Sequence, residues 1–84
     1  MIIEFIKNRY VPLIYHIAKT KREKELAEIL MIKLNHLTYE TLADFTFTLY
    51  LIVDREENVS DEFKNLCREI LDDIVNAMVR EEIF

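Results

Sequence analysis

Apolar residues recur along this chain at helical spacing in successive runs, separated by short polar breaks. The first run, Ile2, Ile3, Ile6, Tyr10, Leu13, Ile14 and Ile17, keeps its phase across Pro12. A proline inside a helix costs ~3 kcal/mol, so this run predicts a first helix kinked at Pro12, or one split there with Pro12 in the first turn of the second piece. The next run begins behind Thr20 and Glu23, which have the spacing of a capping box. A second helix should therefore start near Lys21, with Leu26, Ala27, Leu30, Leu34 and Leu37 on its main face, and stop around Asn35 to Leu37. Thr38 then offers the next cap, and so short a connection makes the second and third helices antiparallel neighbours.

From Tyr39 to about Glu56 two periods compete. Phe45, Phe47, Leu49, Leu51 and Val53 alternate as in a strand, whereas Leu42, Phe45, Leu49, Ile52 and Val53 share one side of a helix. Helix is the better reading, because Tyr39 to Asp44 already reads as helix and no partner strand is evident. Ser60, followed by Asp61 and Glu62, opens a fourth helix, whose stripe runs from Phe63 through Leu66, Cys67, Ile70, Leu71, Ile74 and Ala77 to Met78. The segment Asp54 to Asn58 is the most polar connection and the expected mobile loop.

Not every apolar side chain fits these stripes. On a helical wheel Phe47 and Leu51 fall in a sector with Glu40, Asp44 and Asp54, and Ile29 and Ile32 fall beside Glu25 and His36. Either these helices are contacted on two sides by their own chain, or the extra stripes form a subunit or partner interface. An 84-residue chain is one domain, and at that size it buries only ~60 to 65% of its unfolded surface. The extra stripes therefore predict a four-helix bundle-like domain spanning 1–84 and completed by homodimerisation.

Composition sharpens this picture. With 51% apolar residues, no Gly and one Pro, the chain has a folding composition that lacks the residues of tight hairpin turns. One cysteine excludes an internal disulfide and suits a reducing cytoplasm. No run is long enough to span a membrane, and the apolar start lacks a basic leader, so the expectation is a soluble, unprocessed chain. Many Ile, Lys and Glu with no Gln fit a thermophilic source, a bias that nucleotide composition also produces. The net charge of −5 is unevenly spread: bases outnumber acids up to Tyr39 and acids dominate from Glu40 onward. The two halves are thus able to attract each other, within a chain or between chains.

Candidate chemistry is sparse. Neither His16 nor His36 has a carboxylate at metal-motif spacing; His16 reads as a partly exposed helix residue, and His36 lies near a helix C-terminus, where the dipole favours a cation. Cys67 lies within an apolar stripe and reads as core. Ser60, Thr20 and Thr38 are explained by capping, and the lack of Gly excludes nucleophile elbows and Gly-rich phosphate loops. Glu40 with Asp44, and Asp72 with Asp73, read as solvated acidic faces. The basic edge Lys19, Lys21, Arg22 and Lys24 is the one feature suited to phosphate contact, although Glu23 and Glu25 interrupt it.

These residues favour a non-enzymatic interaction or adaptor module without a cofactor. It would act by self-association and by docking an unidentified protein partner through an apolar surface, with Ile29, Ile32, Phe47 and Leu51 as interface candidates. The alternative is a small nucleic-acid-associated accessory protein or regulator using the Lys19 to Lys24 edge. An enzyme is the least favoured, since no nucleophile, base and orienting group assemble. The capping box carries the first prediction: Thr20→Ala should cost about 1 kcal/mol in denaturant unfolding. An unchanged midpoint would place the start of the helix elsewhere.

Overall fold

The computed structural model describes residues 2–81, so Met1 and 82–84, the ends of the expected domain, lie outside the described residues. Among the described residues four helices follow in order: α1 (Ile2–Ile17), α2 (Lys21–Asn35), α3 (Leu42–Arg55) and α4 (Asp61–Glu81). α1 packs on both α2 and α4, α3 packs mainly on α4, and a slighter contact between α2 and α3 closes the ring. The fold is thus an all-α, four-helix bundle. No helix among the described residues is long and apolar enough to cross a membrane.

α1 runs through Pro12 as one helix and does not divide there. Proline removes an N–H from the helix ladder and leaves the carbonyl four residues earlier, that of Asn8, without its partner. Both Pro12 and Asn8 are exposed, so water is available to that carbonyl, while Ile6, Tyr10 and Ile14 stay buried on the opposite side. Leu13, assigned to the apolar stripe by spacing, is instead 43% exposed. It falls at the edge of the stripe, outside the line of Ile6, Tyr10 and Ile14.

The strand-like alternation in the third segment forms helix. Phe45 and Leu49 turn into the core, whereas Phe47 faces outward, so the alternation is two stripes on one helix. The intervening threonines fit because each satisfies its own hydroxyl: Thr46 donates to the Leu42 carbonyl at 2.8 Å and Thr48 to that of Asp44 at 3.0 Å. The regular helix starts at Leu42 rather than Tyr39. Thr38 does supply a cap, but to a preceding turn, where it and Thr41 exchange backbone-to-hydroxyl bonds of 2.9 and 3.3 Å. Glu40 sits in that turn, so it does not share a helix face with Asp44.

The core draws on every helix, with Tyr10, Phe45 and Phe63 its largest fully buried side chains. Tyr10 brings a hydroxyl into this interior and donates it to Asp73 on α4. Burial, then the bond to Asp73, raises the phenol well above its ordinary pKa. Asp73 is therefore not part of a solvated face, as its spacing beside Asp72 suggested; only Asp72 is exposed. The paired neighbour lies on another helix, beyond the reach of local pattern.

α4 follows its predicted stripe closely, with Phe63, Cys67, Ile70, Ile74 and Ala77 buried. Burial pushes the Cys67 thiol up to about 12, against a lesser opposing effect of Arg68. Since the thiolate is the reactive form, native protein should react with a thiol reagent orders of magnitude more slowly than denaturant-unfolded protein. Rapid stoichiometric labelling of the folded chain would contradict this packing.

Candidate interaction surface

Two ion pairs set how α2 and α3 lie against each other. Arg22, at the start of α2, makes a two-pronged contact with Glu56 at the end of α3, with Nε 2.7 Å from Oε1 and Nη2 3.1 Å from Oε2. Lys33, near the end of α2, places Nζ 2.6 Å from Oδ2 of Asp44 in the first turn of α3. Start thus meets end and end meets start, so the helices are antiparallel, as their short connection predicted. The Arg22 hydrogen bond holds the Glu56 carboxyl below its ordinary range. Such partly exposed pairs contribute ~1 kcal/mol or less each, so their main effect here is on register.

Between the two pairs lies the outer face of α2 and α3. Ile29 is 43% exposed, Ile32 57% and Phe47 59%, while Leu51 is half-buried. The antiparallel register of the two ion pairs sets Ile29 level with Thr48, between Phe47 and Leu51, so the two predicted pairs lie on the same stretch of neighbouring helices. They lie outside the core because Phe45, Leu49 and Leu30 already fill the interior behind them.

The placement of α2 itself depends on Glu23, which is 1% exposed and the one buried charged residue among those described. Its capping box forms as predicted: the Thr20 hydroxyl accepts from the Glu23 N–H at 3.1 Å, and Glu23 Oε1 accepts from the Thr20 N–H at 3.1 Å. The same oxygen also accepts from the Lys19 N–H at 3.0 Å. Oε2 reaches outside the local motif to the Ser60 N–H at 2.8 Å, while the Ser60 hydroxyl accepts from Phe63 at the start of α4. One carboxylate therefore joins the starts of α2 and α4. Burial acts to raise its pKa, but the bonds from Ser60, Thr20 and Lys19 outweigh burial and hold it at about 2. The signal available in sequence was the capping box alone; its distant partner, Ser60, looked like an ordinary N-cap.

The basic edge is divided by the fold. Arg22 is engaged by Glu56, whereas Lys19, Lys21 and Lys24 are exposed and make no ion pair among the described residues. Lys24 borders a shallow groove between α1 and α2, together with Tyr15, Ala18, Ala27, Glu28 and Met31. His36 caps the end of α2, its Nδ1 donating to the Ile32 carbonyl at 3.0 Å. Among the described residues no three metal-ligating side chains converge. No family model, curated protein or solved structure matches the chain.

The buried carboxylate gives a pH prediction. Its folded pKa of about 2 lies below the ordinary 4.5, so its stabilisation is complete above pH 4.5 and is lost as pH falls toward 2. A depression of that size corresponds to about 3 kcal/mol. Glu23→Gln substitutes a donor for one accepting oxygen, so at neutral pH it should cost about 1–3 kcal/mol and flatten the acid dependence of unfolding in this window. An unaltered acid profile in the variant would show that another group governs it.

Proposed function

We propose that this chain is a non-enzymatic helical interaction module that self-associates and docks through the outer face of α2 and α3. One observation carries the reading: Ile29, Ile32 and Phe47 are exposed, and Leu51 half-buried, on two helices that the ion pairs set side by side at matching levels. Single exposed apolar residues are ordinary, but a contiguous patch rimmed by charge is characteristic of surfaces that a partner covers. The rim here is formed by the Arg22–Glu56 and Lys33–Asp44 pairs. Cys67 lies in the core, Tyr10 is bonded to Asp73 and His36 to a backbone carbonyl. A buried, unpaired thiol fits a reducing compartment such as the cytoplasm.

A second reading, a nucleic-acid-associated accessory protein, draws on the exposure of Lys19, Lys21 and Lys24. It has less support. Arg22 is held by Glu56, and Glu25 and Glu28 stand among the lysines on the same helix, where they oppose phosphate.

Sedimentation across a wide concentration range tests the preferred reading. The wild-type chain should sediment as a dimer, and Phe47→Asp as a folded monomer, because a carboxylate in a buried interface is left unpaired. Asp72→Lys, at an exposed site on α4, should leave assembly intact. A wild type that stays monomeric throughout would overturn self-association.

A further inference from the structure

We infer that a second copy of this chain completes the α2–α3 face, related by a two-fold axis parallel to the helices, so that α2 of each copy lies on α3 of the other. The inference rests on the association surface proposed above and names its occupant and arrangement. Its starting point is the register fixed by Arg22–Glu56 and Lys33–Asp44. Rotation about an axis along the helices preserves height. Each α2 residue therefore meets the α3 residue of the partner that it already matches in level within its own chain. Ile29 and Ile32 then face the partner's Leu51 and the partner's Phe47, and the symmetry repeats the contact.

Charge complementarity points to the same occupant. Glu25 lies one turn before Ile29, on the same side of α2, and is exposed without an ion pair among the described residues. Arg55 lies one turn after Leu51 on α3; its side chain is 77% exposed and has only a 3.8 Å contact with the adjacent Asp54. In the parallel arrangement Glu25 comes within a turn of the partner's Arg55. By symmetry this contact occurs twice, at the rim of an apolar centre, where charge selects the partner and register more than it adds affinity.

The other two-fold arrangement, with its axis across the helices, stacks α2 on α2 and α3 on α3. It sets Phe47, the most exposed of the four apolar residues, against the partner's Phe47. Large against small, as in the parallel arrangement, fills the space at interior density.

The arrangement is tested by a charge exchange on the full-length chain. Glu25→Arg alone sets Arg against the partner's Arg55 at both symmetric sites, and Arg55→Glu alone sets Glu against the partner's Glu25. Each variant should associate at least about tenfold more weakly than wild type at low salt. Mixed in equal amounts, one chain carries Arg at both positions and the other Glu at both. The heterodimer then regains both pairs, with an affinity within about threefold of wild type. Sedimentation reads the affinities, native mass spectrometry identifies the heterodimer, and circular dichroism confirms that the chains are folded. If either variant unfolds, Glu25→Lys with Arg55→Asp makes the same exchange. A dimeric wild type that Phe47→Asp disrupts, but whose charge variants fail to complement, overturns this arrangement and leaves the association surface standing. A monomeric wild type overturns both.

Discussion

A carboxylate out of contact with water is stable only when its oxygens find enough donors, and in this chain Glu23 receives three backbone N–H groups from two separate connections. The isolated charge would cost several kcal/mol to bury, and the bonds from Lys19, Thr20 and Ser60 offset that cost in one geometry. This ties the α1–α2 corner to the start of α4. Because α4 in turn supports α1 and α3, the orientation of α2 is fixed relative to the whole ring. The apolar stripe of α2 decides which residues face inward and which are left outside, and this attachment holds that stripe in place. Leu26, Leu30 and Leu34 go in, and Ile29 and Ile32 stay out.

The uneven charge of the chain is resolved by the same architecture. Arg9 with Glu69, Arg22 with Glu56 and Lys33 with Asp44 each join a base of the first half to an acid of the second. The attraction between halves therefore operates within one chain. Pairs this exposed contribute little to stability individually, and they add to an alignment that the shared apolar core already favours. The pairs on α2 and α3 also lie along the border of the apolar face, so the contacts that set the register also frame the surface proposed to bind.

Sequence was a good guide wherever structure is decided locally. The capping box of Thr20 and Glu23, the N-cap at Ser60 and the stripe of α4 are all written in spacings of three and four residues. That Ile29, Ile32 and Phe47 lie off the main stripes was legible for the same reason, whereas their exposure was not, since contact with the chain's own helices was an equal alternative. What escaped was tertiary. Asp73 looked solvated until Tyr10 was brought to it from α1, and Glu40 seemed to share a face with Asp44 until α3 began after it. Pro12 was ambiguous because its cost depends on whether the released carbonyl meets water, which spacing does not specify. The reach of Glu23 to Ser60 likewise depends on two loops meeting at one end of the bundle.

Amide hydrogen exchange at Ser60 tests most directly the claim that one buried carboxylate sets this arrangement. Ser60 precedes α4 and is itself exposed, so without a partner its N–H should exchange at the rate of an open loop. The bond to Glu23 instead predicts strong protection of Ser60, together with Lys19 and Thr20, and loss of that protection in Glu23→Gln while the centre of α4 stays slow. Fast exchange at Ser60 in the wild-type chain would contradict the account, since α2 and α4 would then be placed by their apolar packing alone.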